Sequence, residues 1–174
     1  MPHTTRRGAL LAGAGLGALG LFALQGRKPA AAAADGDFPV ALSEAEWRER
    51  LTEEQFRVLR EEGTERAFTS PLNDVKQAGT FHCAGCDNAL YSSEDKFDSG
   101  TGWPSFTQPI EEGAVATSDD FKLFFQRTEV HCADCGGHQG HIFEDGPEPT
   151  GLRHCINGVA MVFKPADGSD PVVG

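Results

Sequence analysis

Basic side chains are scarce in this sequence. Its 174 residues carry 15 Lys and Arg against 26 Asp and Glu, a formal net charge of −11. Such a chain should be soluble and is a poor candidate for non-specific nucleic-acid binding. Long apolar runs are lacking as well, which excludes a multi-pass membrane protein; the one extended run, Gly8–Leu24, has 17 residues. Collagen-like periodicity and disordered composition are absent at 39% hydrophobic residues. No solenoid repeat is present. Cysteine is sparse, and a chain of this length fits one domain that buries a core without disulfide staples. The five Cys are an odd number, so at least one is unpaired or reactive.

What is present is unevenly distributed. Residues 1–34 hold Arg6, Arg7, Arg27 and Lys28 and no acid, so the other 140 residues carry a net charge of −15. A charged start, an apolar Gly/Ala/Leu middle and the small residues Ala30–Ala34 describe a secretory signal. The Arg6-Arg7 pair resembles a bacterial twin-arginine signal. The expectation is cleavage near Ala34 and a soluble periplasmic or otherwise exported protein without a stable membrane anchor. An uncleaved anchor is the alternative, and no Cys lies nearby for a lipid. The twin-arginine route carries folded proteins, so metal would load onto reduced thiols before export.

Residues 35–42 read as a tether and 43–165 as the domain. Ser43 with Glu46, and Thr52 with Gln55, each fit a capping box. Two short amphipathic helices should follow, the second stopping at Gly63. From Gly79 onward short apolar runs alternate with Gly, Pro, Asp and Asn clusters: Phe81–Cys83, Ala89–Tyr91, Phe121–Arg127 and Val159–Phe163. That is the pattern of short antiparallel strands joined by turns. Residues 166–174, with Gly168, Pro171 and Gly174, read as a loose tail.

His82-Cys83-Ala84-Gly85-Cys86 and His131-Cys132-Ala133-Asp134-Cys135 are near copies. Two such knuckles supply four soft ligands in tetrahedral array, which suits one structural Zn2+ per chain. Two disulfides or two redox pairs are the alternatives. His82 and His131 are expected to face solvent or to support the ligands.

Cys155 is then left over. On a strand it shares a face with Arg153 and Asn157, while His154 points away. Arg153 would stabilise a thiolate, and Asn157 would hydrogen-bond whatever Cys155 attacks. A buried packing cysteine is the competing reading. His138 and His141, three apart in a Gly-rich segment, are candidate acids near neutral pH. A solvated, core or metal-ligating pair is their alternative. Trp103 sits on a sharp turn in Ser99–Phe106, where an ordinary core aromatic would also fit.

Taken together, these segments resemble the B-type methionine sulfoxide reductases, which reduce the R epimer of methionine sulfoxide. The motifs occur in order over Leu42–Phe163: Arg60–Glu65 with Phe68, the first knuckle, Gly102–Phe106, the second knuckle with His138–His141, Asp145–Pro147, and Arg153–Asn157. The resemblance implies a mainly β fold of two antiparallel sheets, tent-like, with short N-terminal helices and the four-cysteine zinc site. It implies a nucleophile at Cys155 that becomes a sulfenic acid, and proton donation by His141 with His138. Asn157 would orient that network, while Trp103 and Arg153 would contact substrate. Oxidised proteins or peptides would be the substrates, a thioredoxin-like protein or small thiol the reductant, and the enzyme a monomer. Three positions depart from the family. His154 stands where Tyr or Phe is usual, Gly158 where Ser is usual, and Thr101 where many members carry a resolving cysteine. A zinc-ribbon-like binding module without catalysis is the competing function, and a non-catalytic sulfoxide binder a third.

Overall fold

The computed structural model describes residues 38–121 and 126–174. The expected export signal, residues 1–34, and the tether's first residues lie outside that range. Two helices lead: α1 (Glu44–Arg50) and α2 (Glu53–Glu61). Both capping boxes form; the Ser43 backbone N–H donates to Glu46 Oε2 at 2.8 Å, and that of Thr52 to Gln55 Oε1 at 3.1 Å. Each satisfies amide protons that a helix start leaves without partners. Trp47 on α1 and Phe56, Val58 and Leu59 on α2 are buried. The left-handed residue ending α2 is Glu62 rather than Gly63, whose N–H closes onto the Arg57 carbonyl at 2.9 Å.

Among the described residues, ten strands follow: β1 (Gly79–Cys83), β2 (Ala89–Ser92), β3 (Lys96–Phe97), β4 (Ser105–Phe106), β5 (Val115–Asp120), β6 (Arg127–Cys132), β7 (His138–Phe143), β8 (Arg153–Ile156), β9 (Met161–Pro165) and β10 (Val172–Val173). They form two antiparallel sheets, one in the order β10-β9-β1-β2 and one in the order β3-β4-β8-β7-β6-β5. The fold is therefore mainly β, with two sheets and few helices. Of the expected strand Phe121–Arg127, residues 122–125 lie outside the described range; Phe121 follows β5 and Arg127 opens β6.

Aromatic side chains join the sheets. Phe81 of β1 meets Phe106 of β4 edge-on at 4.9 Å, and Tyr91 of β2 stacks on Phe106 at 4.3 Å. Ring pairs of this kind add about 0.5–1.5 kcal/mol beyond the area they bury.

Both chain ends of the domain are tied down more firmly than their composition suggests. The segment after Pro165 is not loose: β10 pairs with β9, and the Gly174 N–H donates to the Met161 carbonyl at 3.2 Å. The supposed tether docks from Phe38 onward, with the Val40 N–H on the Asp134 carbonyl at 2.8 Å. Long-range backbone pairing outweighs local Gly and Pro content in both places. Among the described residues, no helix is long and apolar enough to cross a membrane.

Candidate active site and metal centre

The two knuckles fold alike. The Asp87 N–H donates to the Cys83 carbonyl and the Gly136 N–H to the Cys132 carbonyl, each at 2.9 Å. The residue after the second cysteine is left-handed in both, Asp87 at φ 71° and Gly136 at φ 65°. This turn aims both thiols of a knuckle at one point. Cys83 lies 3.7 Å from Cys135 and Cys86 lies 3.5 Å from Cys132, sulfur to sulfur; all four sulfurs fall within 4.8 Å of one another. A tetrahedron of thiolates at about 2.3 Å from a metal has edges of about 3.8 Å. The sulfurs are thus spaced to hold one metal ion, and they are free thiols rather than disulfides. His82 and His131 stay out of this cluster. His82 Nδ1 donates to the Asp87 carbonyl at 2.8 Å, and the His131 ring meets Phe38 edge-on.

A second constellation lies on the six-stranded sheet. Strand register sets Ser105, Cys155, His141, Glu129 and Ser118 in one row across β4, β8, β7, β6 and β5. Directly opposed residues have Cβ atoms about 4.5–5.5 Å apart. Cys155 and His141 are such partners, and both open into a cavity of about 150 Å³. Trp103, Thr64, Arg127, Gly140, Phe143 and Asn157 complete its wall. Gly140 permits the approach of β7 to β8: a Cβ there would sit 2.0 Å from the Cys155 carbonyl oxygen.

His138 and His141 are three apart, so strict alternation would place them on opposite faces. The register slips between Val130 and His131 of β6, and β7 carries one extra residue opposite that step. This bulge brings the two rings to 5.3 Å. His138 is buried, with Nδ1 donating to Glu129 Oε1 at 2.6 Å. Burial pushes the Glu129 carboxyl up, but hydrogen bonds from His138 and Ser118 outweigh it and hold the group at about 2. His141 Nε2 donates to Asp120 Oδ2 at 2.8 Å. Burial lowers its pKa, against the opposing pull of Asp120, so the imidazole is neutral at pH 7.

Burial pushes the Cys155 thiol above its ordinary range; Arg153 and Thr101 pull it down without cancelling that effect. Cys155 is therefore a thiol at rest, not the thiolate expected from its neighbour. Arg153 spends its fork on Asp145, Nε at 2.8 Å and Nη2 at 2.9 Å, and its guanidinium covers the Phe143 ring. It also reaches the Cys155 side chain, and it is not among the residues that line the cavity. Asn157 does line the cavity, but its amide braces the backbone. Oδ1 accepts from the Glu65 N–H and Nδ2 donates to the Gln139 carbonyl, both at 2.9 Å.

Sequence reasoning left Glu65 and Glu129 without roles. The Glu65 carboxylate accepts from the Gly158 and Val159 N–H groups at 2.7 and 2.9 Å, and its carbonyl accepts from Trp103 Nε1 at 3.3 Å. One buried residue thus links the Trp103 turn to the end of β8. No local pattern marks it. Glu129 was discoverable, because strand alternation puts it on one face with Arg127 and His131.

Each departure also has a structural setting. His154 is buried between the sheets, where its Nδ1 takes the Tyr91 hydroxyl at 3.2 Å. A Cβ on Gly158 would lie 1.9 Å from Ser70 Oγ, so Ser70 occupies the space that a side chain there would need. Thr101 contacts Cys155 and joins a hydroxyl chain, with Ser99 Oγ at 2.8 Å from both Thr101 Oγ1 and Ser105 Oγ.

Comparison with known proteins matches this arrangement to a family. The model described as "SelR domain" matches residues 51–165. A protein named peptide methionine sulfoxide reductase MsrB from Agrobacterium fabrum is 54% identical over 123 residues, 71% of this chain and 91% of the relative. Another of that name from Pseudomonas putida is 55% identical over 124 residues, 71% of this chain and 93% of the relative. A third, from Methanosarcina barkeri, is 51% identical over 125 residues, 72% and 88% of the two chains. With the SelR domain spanning most of its described residues and relatives matched over nearly their whole length, the chain belongs to the MsrB family of peptide methionine sulfoxide reductases.

Proposed function

We propose that this protein reduces R-methionine sulfoxide in proteins and peptides to methionine, as repair of oxidative damage in an exported compartment. The observation that carries the reading is the opposed pair Cys155 and His141 at the mouth of a cavity bounded by Trp103.

The chemistry follows from the two protonation states. A protonated thiol facing a neutral imidazole is poised for proton transfer to His141 as the sulfur attacks. The resulting Cys155 thiolate forms a bond to the electrophilic sulfoxide sulfur. His141 then returns the proton to the oxygen, assisted by His138. The oxygen departs from the methionine sulfur as hydroxide, and its addition to the Cys155 sulfur breaks the new S–S bond and releases methionine. The overall change is sulfoxide plus thiol to thioether plus sulfenic acid. Trp103 packs against the S-methyl group through apolar area and sulfur–aromatic contact. Asn157 and Glu65 hold Trp103 and the end of β8 in register.

Regeneration uses external thiol. Four cysteines belong to the metal cluster, and Thr101 stands at the resolving position. A small thiol or thioredoxin-like protein condenses with the sulfenic acid, releasing water and leaving a mixed disulfide. A second thiol then frees Cys155 as the disulfide of the reductant. Cys83, Cys86, Cys132 and Cys135 would hold zinc, which in a closed four-thiolate site supplies folding energy rather than chemistry.

The test is to offer a racemic sulfoxide peptide with dithiothreitol and resolve the epimers that remain. Loss of the R epimer alone is expected, and Cys155→Ser should abolish it while leaving the fold intact. Equal consumption of both epimers would contradict the reading. Export is tested separately: replacing Arg6 and Arg7 by Lys should retain full-length precursor inside the cell.

A further inference from the structure

Phe68 is the largest apolar anomaly of the described surface. Its side chain is 74% exposed, and its backbone is left-handed at φ 66°, a conformation that an aromatic residue rarely adopts. Such strain persists only where surrounding structure enforces it. Here the Phe68 N–H donates to the Gly102 carbonyl at 2.8 Å, and Asn73 Nδ2 donates to that same carbonyl at 3.1 Å. The ring lies flat against Gly102, where a Cβ would fall 2.7 Å from Phe68 Cδ2. The chain thus holds an aromatic ring rigidly outside its own core.

The ring borders a second cavity, of about 220 Å³, whose lining is mixed: Phe97 and Pro104 stand beside Asn73, Lys76 and Lys96. Trp103 lines this cavity and the one containing Cys155. The two hollows therefore share one wall residue, the one placed against the sulfoxide methyl. Along an extended peptide, side chains two apart lie about 6.5–7 Å from one another on one side. A peptide seated by its sulfoxide at Cys155 and running past Trp103 would direct a flanking side chain toward Phe68.

We propose that Phe68 and this second cavity form a subsite for an apolar side chain flanking the methionine sulfoxide of a peptide. The inference rests on the reductase reading and deepens it, by naming a substrate class: sulfoxides with an aromatic or large aliphatic neighbour. Two lysines and two acids, Asp74 and Asp98, line the same cavity, so formal charge gives no net preference, and the exposed Phe68 ring is the contact offered to a large apolar side chain.

The experiment compares kcat/KM for R-sulfoxide peptides flanked by Phe or by Gly with that for N-acetyl methionine sulfoxide N-methylamide. The full chain should prefer the Phe-flanked peptide through a lower KM. In Phe68→Gly, which suits the backbone but lacks the ring, that preference should fall about tenfold, the scale of a lost aromatic contact. Phe68→Leu should restore part of it. Equal kcat/KM for all three substrates, or an unchanged preference in Phe68→Gly, overturns the subsite. An equal loss on all three substrates also overturns it, since the ring would then serve only the fold. Reduction of none of them by the unaltered protein overturns the reductase reading beneath it.

Discussion

At the scale of single residues, His154 shows how burial turns a polar group into a stability sensor. Enclosure between the sheets lowers its pKa to about 4, against about 6.5 in an unfolded chain. Below pH 6.5 the unfolded state takes up a proton that the folded state refuses. Stability therefore falls as pH drops from 6.5 to 4, by at most about 3 kcal/mol. Urea titrations at pH 7 and pH 4.5 should reveal this loss in the parent protein. His154→Phe should remove its share of that pH dependence. The same variant leaves the Tyr91 hydroxyl without its partner, so its stability at pH 7 should drop by about 1–3 kcal/mol.

Thr101 is the other residue-scale case. Its hydroxyl reaches Cys155 and is steadied by Ser99. A single turnover without reductant should leave a sulfenic acid at Cys155 that a selective probe labels. Thr101→Cys should replace that label with a disulfide between the introduced cysteine and Cys155, visible by mass spectrometry of a digest. A bridge between Cys155 and a metal-cluster cysteine in the parent, with metal released, would refute the external-thiol route.

At the scale of elements, the junction after β8 depends on a close approach between distant segments. Ser70 caps the turn at Leu72, with its Oγ accepting the Leu72 N–H at 3.1 Å, and it fills the space beside Gly158. Gly158→Ser should therefore clash and destabilise by about 1–3 kcal/mol, the range for overpacked sites. Ser70→Gly should itself destabilise by loss of the cap. The double variant should be more stable than the two single costs sum to, because the space is shared. Chemical denaturation of the four proteins measures that coupling. Strictly additive costs would show that the two positions do not compete for space.

Across the whole molecule, the four-cysteine cluster clasps the two sheets. Cys83 ends β1 in one sheet, and Cys132 ends β6 in the other. If the cluster holds a metal, its removal would free both, and the row of β6, β7 and β8 that carries Glu129, His141 and Cys155 would lose that anchor. Cys132→Ala should cost several kcal/mol out of the about 5–15 that hold a typical domain. Elemental analysis should find one zinc per chain. Treatment with a chelator under mild denaturant should lower the melting temperature and activity together. A folded, active protein without metal would remove the clasp from this account.

Much of this was legible in the sequence because the signals are local. A capping box and a Cys-x-x-Cys knuckle each span four residues. Alternation along β8 correctly separates His154 from Cys155, since successive side chains on a strand face opposite ways. The unpaired fifth cysteine followed from counting. What alternation alone would get wrong is the histidine pair. A period of two sends His138 and His141 to opposite faces, and only the extra residue in β7 brings them together. That bulge is defined by its partner strand, so no window of β7 by itself contains it. The hydrogen-bond partners of Arg153 and Asn157 likewise lie 8 and 92 positions away, at Asp145 and Glu65. The anchoring of the last residues by β9, and the packing of Ser70 against Gly158, came from segments that meet only after folding. Sequence determines which groups can cap, ligate and react. Tertiary structure decides which of them face one another, because burial, register and close approach are properties of pairs distant along the chain.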